Sequence, residues 1–99
     1  MDLWNVAMNL VTDVYRISKN FPEQERYGLS NQMRRAVVSI PRNIAEGAAR
    51  QTPKEYFQYV YVSQGSLSEL DTQEEIAKRL EWLQERDGLE SAMNRMDKM

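Results

Sequence analysis

RRAVVSIPRNIAEGAAR, residues 34–50, is the stretch from which the architecture of this chain follows. Apolar residues recur through and around it at the three- and four-residue spacing of one helical face, which predicts a helix, called helix 2. Pro41 lies inside this pattern, where a proline removes a backbone hydrogen bond and clashes with the preceding turn at a cost of about 3 kcal/mol. Helix 2 is therefore predicted to be kinked at Pro41, with Ser39 or Asn43 able to satisfy the backbone carbonyl that the kink frees. The apolar stripe of helix 2 consists of Met33, Val37, Ile40, Ile44 and Ala48.

Capping signals mark both ends of helix 2 and the start of the next helix. Ser30 is the predicted N-cap of helix 2, and Gly47 suits its C-terminal end because glycine lacks a Cβ atom. Thr52 and Glu55 form a capping box around Pro53, in which Thr52 accepts from the backbone N–H of Glu55 and Glu55 reaches back. Helix 3 is therefore predicted to start at Pro53, and the apolar spacing downstream predicts that it is long.

Two further helices complete the predicted architecture. Helix 1 should end near Lys19 and Asn20, before Pro22, and a last helix should begin around residues 85–87. The run FQYVYV at residues 57–62 alternates as a strand does, but the capping box before it favours a helix. The prediction is a single all-α domain over residues 1–99, an antiparallel up-and-down four-helix bundle. The apolar face of helix 1 contains Leu3, Val6, Ala7, Leu10, Val14 and Ile17, widened by Trp4, Met8, Val11 and Tyr15 so that it meets two neighbours.

The composition excludes most classes of enzyme. The chain contains no cysteine and no histidine, which removes thiol nucleophiles, disulfides, Ser-His-Asp chemistry and the usual ligands of zinc, haem and iron-sulfur centres. We therefore predict a protein that is not an enzyme and has neither cofactor nor metal. No basic region precedes the first apolar residues, and no stretch approaches the roughly 18 uninterrupted apolar residues of a membrane span. We expect no membrane association and a cytoplasmic location.

The charges are distributed unevenly along the chain. Residues 30–54 contain five basic residues and one acid, whereas residues 55–99 contain five basic residues and ten acids. Such alternation is more typical of complementary faces within a bundle or between subunits than of a nucleic-acid site, because phosphate-binding proteins usually carry a basic excess overall. A chain of 99 residues also builds only a modest core, which favours burial against a partner subunit. A homo-oligomer is therefore expected.

A signature of polar and small residues runs through helix 2 and continues in helix 3. It comprises Gln32, Arg35-Ala36, Ser39-Ile40-Pro41, Asn43-Ile44-Ala45-Glu46-Gly47, Arg50, Gly65-Ser66-Leu67 and Glu69-Leu70. With these residues the segment 21–70 resembles the bacterial four-helix-bundle family of 23S rRNA intervening-sequence proteins. The resemblance implies an antiparallel four-helix bundle that assembles into a ring, with pentamers among relatives, and no established enzymatic activity. It also implies a distant similarity to the accessory protein of diversity-generating retroelements, a pentameric bundle that binds reverse transcriptase and nucleic acid. Glu74 departs from the family pattern, which has an apolar residue there.

The polar stripe of helix 2, joined by one residue of helix 3, is the candidate functional site. One hypothesis is that it recognises RNA phosphates or a protein partner, since the guanidinium fork of arginine suits bidentate binding. The favoured alternative is that it forms salt bridges and caps that fix helix register or an oligomer interface. Under that alternative, Glu46 and Arg50 are an ordinary pair at four-residue spacing on a helix surface. The stripe consists of Gln32, Arg35, Ser39, Asn43, Glu46, Arg50 and Glu69.

Arg34, Arg42 and Lys54 flank the polar stripe and are the better candidates for contact with RNA or an RNA-associated protein. The aromatic cluster at residues 56–61 suits base stacking, although such clusters more often form core and interface. The sequence therefore leaves two functions open. The first is a non-enzymatic, self-associating assembly or adaptor module, and the alternative is a protein that binds ribosomal or intervening-sequence RNA through the helix 2 arginines.

Gly65 interrupts the predicted helix 3 with a residue that costs about 1 kcal/mol relative to alanine in a helix interior. We therefore expect a structural constraint that requires a residue without a side chain at this position. We attribute it to close approach of helix 2 at residues 45–49.

Overall fold

All regular secondary structure within residues 2–84, the part of the chain that the computed structural model describes, is helical. Helix α1 spans Asp2–Ser18, α2 spans Leu29–Ala48 and α3 spans Pro53–Arg79, with a short 3-10 helix, Glu23–Glu25, before α2. The all-α class is confirmed, and residues 57–62 are helical. The helix predicted from residues 85–87 onward lies outside the described residues, so the fourth helix and the antiparallel four-helix bundle remain predictions.

The start of α3 follows the predicted capping box. Pro53 is the first helical residue, and the backbone N–H of Glu55 donates to Thr52 Oγ1 over 3.2 Å. The side chain of Glu55 differs from the prediction, because its Oε1 accepts the hydroxyl proton of Thr52 over 3.0 Å. Thr52 therefore holds both the main chain and the side chain of Glu55 at the helix N-terminus.

The start of α2 does not follow the prediction. The N-cap is Gly28, which has no side chain, and Ser30 is buried within the first turn. Glu25 supplies the acceptor instead, because its Oε1 accepts from the backbone N–H of Leu29 over 3.1 Å. The prediction of Ser30 as the cap is therefore wrong: the 3-10 helix carries a carboxylate to the helix end and takes over the cap.

The core forms where the apolar faces of the three helices meet. Phe21, in the connection after α1, is buried and packs against the ring of Trp82 with centroids 5.7 Å apart. Ala48 was predicted on the apolar stripe of α2 but is exposed, because α2 ends there. The fully buried large apolar side chains are Leu10, Val14, Met33, Val37, Ile40, Ile44 and Leu70.

Helix α2 continues through Pro41 without interruption. The backbone carbonyl of Ile40 accepts from Ser63 Oγ of α3 over 3.2 Å, and Asn43 Nδ2 donates to the carbonyl of Ser39 over 2.7 Å. The hydroxyl of Ser39 donates to the carbonyl three residues earlier over 2.8 Å. Ser39 and Asn43 thus bond backbone carbonyls near the proline. Neither bonds the carbonyl four residues before the proline, which the sequence predicted they would satisfy.

Gly47 lies at a close approach between α2 and α3. A Cβ atom added at Gly47 would lie 3.0 Å from Cβ of Tyr59 and 3.2 Å from the backbone oxygen of Tyr56. Apart from the helix turn around Gly65 itself, no atom of the described residues lies within 4 Å of the corresponding position there. The prediction that Gly65 permits the approach of α2 is therefore wrong. Because Gly47 faces residues 56–59 while Ile40 bonds the later Ser63, α2 and α3 run in opposite directions.

Candidate functional site

A broad groove of about 1090 Å³ runs along the outer side of α2, with α1 on one side and α3 on the other. It brings together four residues of the predicted polar stripe and two of the three flanking cations. From these predicted residues it contains Gln32, Arg34, Arg35, Ser39, Arg42 and Glu69. It also contains Tyr15, Asn31, Val38, Ser66, Thr72, Gln73 and Ile76, which sequence analysis did not assign to a site. The signal for Ser66 was its place in the helix 3 signature.

Small polar groups connect the two helices at the side of the groove nearest α3. The hydroxyl of Ser39 bonds that of Ser66, which fixes the register of α2 against α3. Asn43 is buried and bonds within α2, so it does not belong to the groove. Gln73 is 6% exposed, and its Oε1 has no hydrogen-bond partner within the described residues. A buried acceptor without a partner costs about 1–3 kcal/mol, and Gln73 lies on the α3 side of the groove.

Arg34 lies on the α1 side of the groove and is partly engaged within the chain. Its Nε donates to Ser18 Oγ over 2.9 Å, and its guanidinium carbon lies 4.7 Å from the centroid of the Tyr15 ring. The stacked ring and the hydrogen bond hold Arg34 against the last turn of α1. Only the remaining guanidinium donors are available to an external ligand.

Arg35, Arg42 and Glu69 are exposed and line the groove without an ion-pair partner among residues 2–84. Each ion pair in this part of the chain joins residues three or four positions apart on one helix. Within residues 2–84, therefore, no ion pair joins an arginine of α2 to an acid of α3, although Glu69 of α3 lines the same groove. The roles predicted for these side chains, whether structural or ligand-binding, stay predictions.

Arg50 and Lys54 lie away from the groove, near the turn between α2 and α3. Arg50 pairs with Glu46 over 2.6 Å, which confirms the predicted pair, and its guanidinium carbon lies 5.0 Å from the Tyr59 ring centroid. Tyr59 first, and then the hydrogen bond to Glu46, raise the pKa of Arg50 above its usual value. Lys54 is exposed in the first turn of α3 and does not join Arg34 and Arg42.

Large apolar side chains of α1 and α3 are exposed. Trp4, Met8 and Tyr15 of α1 are between 37% and 40% exposed, although the sequence placed them on a face that meets a neighbour. On α3, Phe57 is 55% and Tyr61 is 71% exposed. The aromatic cluster predicted at residues 56–61 is thus divided, since part of it packs on α2 and part points outward.

The described residues define a small all-α protein with an arginine-lined groove and uncovered apolar helix faces. No three acidic side chains within residues 2–84 are placed to hold a metal ion, and no helix in that range is long and apolar enough to cross a membrane. The chain belongs to the family described as 23S rRNA-intervening sequence protein, which it matches over residues 1–99. This match confirms the resemblance to the family that the signature in helices 2 and 3 indicated. No curated protein matches the sequence.

Proposed function

We propose that this chain is a non-enzymatic, cytoplasmic protein that associates with copies of itself and serves as an assembly or adaptor module. The observation that carries the proposal is the apolar row of Trp4, Met8 and Tyr15, which the fold leaves more than a third exposed. Exposed apolar patches of this kind mark interaction surfaces in soluble proteins. The absence of histidine and cysteine supports the non-enzymatic part, because it removes thiol nucleophiles and Ser-His-Asp chemistry.

The proposal includes a fourth helix after residue 84 that completes an antiparallel up-and-down bundle. It also includes a closed ring, with five chains as the number suggested by the family resemblance. The uneven charge of the chain supports association, since α2 carries arginines that form no ion pair with an acid of α3 within the described residues. Between subunits, such complementary charges fix orientation and register.

Light scattering coupled to size exclusion tests the proposal. The chain has a mass of 11.6 kDa, and we expect a molar mass that is a multiple of this value and independent of concentration above a threshold. A mass equal to that of one chain throughout a concentration series would eliminate self-association.

A second candidate function, RNA binding, is favoured by one specific observation. Arg35 and Arg42 are exposed, without an ion-pair partner among residues 2–84, in a groove that also holds Tyr15 stacked on Arg34. Arginines beside an aromatic ring suit phosphate and base contacts. Glu69 in the same groove and the sequence pI of about 5.2 count against this function.

The RNA-binding candidate makes a prediction that self-association does not make. Affinity for a structured intervening-sequence RNA should fall steeply with salt and should weaken on Arg42→Ala. Asn9→Ala, an exposed change on α1 away from the groove, is the matched control. Binding that is undetectable, or that is insensitive to salt, would reject the RNA function and leave the proposal of self-association unaffected.

A further inference from the structure

Two opposite charges lie across from each other in the groove along α2. Ser39 of α2 bonds Ser66 of α3, and the two helices run in opposite directions. One turn from that bond, toward the start of α2, this register places Arg35 opposite Glu69. Both side chains are exposed and line the groove, yet no ion pair joins them within residues 2–84. A ligand in this space therefore meets donors on the α2 side and a carboxylate acceptor on the α3 side.

The α3 side of the groove carries a second acceptor. Gln73 lies one turn after Glu69 and lines the groove. It is 6% exposed, and its Oε1 has no hydrogen-bond partner within the described residues. Turning the amide outward breaks no hydrogen bond to Oε1 in this part of the chain, so Oε1 is able to accept from a ligand. Because a buried acceptor without a partner destabilises the chain, a donor supplied by a ligand removes that cost.

A guanine base matches this arrangement of donors and acceptors. Its N1–H and its N2 amine are adjacent donors, which suit the two oxygens of the Glu69 carboxylate and the nearby Oε1 of Gln73. Its O6 and N7 atoms are acceptors, which the paired N–H groups of Arg35 suit. Adenine reverses this pattern, because it has an acceptor at N1 and a donor amine in place of O6. A site of this kind therefore selects guanine over adenine.

Arg42 lies at the distance from the base where a phosphate is needed. It follows Arg35 by seven residues on the same side of α2, which is about 10 Å along the helix. This is comparable with the length of a nucleotide from its base edge to its 5′-phosphate. Arg42 is exposed and has no ion-pair partner among residues 2–84, and its guanidinium fork suits phosphate oxygens. The groove, at about 1090 Å³, has room for such a ligand.

We propose that this groove binds a guanine nucleotide, with the base between Arg35 and Glu69 and the phosphate on Arg42. Glu69, which repels phosphate, then lies at the base and away from the phosphate. A free nucleotide and an unpaired guanosine in RNA offer the same chemistry. The inference is independent of the proposed self-association, and only its RNA form rests on the RNA-binding candidate.

Isothermal titration calorimetry of the full chain with three nucleoside 5′-monophosphates tests the choice of base. Guanosine monophosphate should bind at least about tenfold more tightly than adenosine monophosphate, as expected for one well-matched set of base contacts. Inosine monophosphate lacks only the N2 amine and should bind with intermediate affinity. Equal affinities for the guanosine and adenosine forms would overturn the guanine site.

Glu69→Gln separates base recognition from general electrostatics. The change removes a negative charge from the groove, so electrostatics alone would tighten the binding of every nucleotide. The guanine site predicts the opposite for guanosine monophosphate, whose affinity should fall about tenfold, while adenosine monophosphate binds no more weakly than before. Asp71→Asn, which removes the same charge from an exposed α3 position outside the groove, is the control and should leave both affinities unchanged.

Arg42→Ala tests the phosphate contact. Because Arg42 is assigned to the phosphate, the variant should lose affinity for the guanosine and adenosine forms by the same factor. A loss confined to the guanosine form would contradict that assignment. A Glu69→Gln chain that binds guanosine monophosphate as tightly as the wild type does would contradict the base assignment. Circular dichroism establishes that each variant is helical before it is titrated.

Two single-stranded RNA oligomers, identical except for one guanosine or one adenosine among uridines, distinguish the sources of the ligand. A guanosine strand that binds more tightly than guanosine monophosphate assigns the site to RNA, whereas a mononucleotide that binds as tightly as the strand assigns it to a free nucleotide. RNA binding without preference between the strands, together with no preference among mononucleotides, overturns the guanine site and leaves the RNA-binding candidate standing. No binding in either form overturns both and leaves self-association unaffected.

Discussion

The two helix-interior glycines should respond in opposite ways to replacement by alanine. At Gly47 the new Cβ would lie 3.0 Å from Cβ of Tyr59 and 3.2 Å from a backbone oxygen, and neither atom is the end of a flexible side chain. Forcing a methyl group into such a contact costs about 1–3 kcal/mol, against a gain of at most about 1 kcal/mol in helix propensity. Gly47→Ala should therefore lower the free energy of unfolding by about 1 kcal/mol. The methyl group of Gly65→Ala meets no atom of another element within residues 2–84 at less than 4 Å, so this change should raise the free energy of unfolding by up to about 1 kcal/mol.

Urea unfolding followed by circular dichroism measures this contrast. Both changes are made at low concentration and in a Met8→Glu background, which places a charge in the exposed apolar row of α1. Association would otherwise add a concentration-dependent contribution to stability. A difference of about 2 kcal/mol between the variants corresponds to roughly 1 M urea in midpoint at a slope of about 2 kcal/mol per molar. Equal midpoints, or a gain at Gly47 as large as that at Gly65, would refute the assignment of Gly47 as a position where α2 and α3 approach closely.

Three further changes test local contacts by urea unfolding. Thr52→Ala should destabilise the chain by about 1 kcal/mol through loss of the α3 cap, whereas Thr52→Ser, which retains the hydroxyl, should not. Arg34→Lys keeps the charge but loses the Nε donor and the planar stack, so this change should lower the free energy of unfolding by about 1 kcal/mol. An equal loss in a Ser18→Ala background would show that the hydrogen bond between Arg34 and Ser18 contributes nothing. Gln73→Met removes a buried acceptor without a partner in the described residues and should stabilise by about 1 kcal/mol, and a loss of stability would indicate that the amide is satisfied.

Patterns among residues close together in the sequence predicted most of the secondary structure. The Thr52-Pro53-Glu55 signal predicted the start of α3 because a cap involves residues a few positions apart. The Glu46–Arg50 pair was predictable for the same reason. The apolar spacing also identified which side of α2 is buried, apart from Ala48 at the helix end.

The errors arose where the neighbour of a side chain is set by another element. Helical spacing gives the direction in which Gly65 points but not whether a helix lies there, so the close approach was assigned to the wrong glycine. Ser30 was chosen as a cap because the sequence does not reveal that the 3-10 helix brings Glu25 to the end of α2. The apolar spacing likewise predicted a second apolar side of α1 around Met8. It did not show that this side is exposed in the described part of the chain.

The candidate groove was predicted only in part. Its α2 residues lie on one helical face and were found together, with Glu69 added from the family resemblance. Gln73 and Tyr15 joined the groove through tertiary packing of α3 and α1 against α2, which no spacing within one helix reveals. Lys54 was grouped with the flanking arginines by charge alone, and the turn between α2 and α3 separates it from them.

Native mass spectrometry of the full chain tests the central claim most directly, because it counts subunits in the intact assembly. Self-association through the exposed apolar row of α1 predicts one dominant closed species, with five chains as the expected number, and its dissociation to single chains on Met8→Glu. A spectrum with only the 11.6 kDa chain at every concentration would contradict the claim.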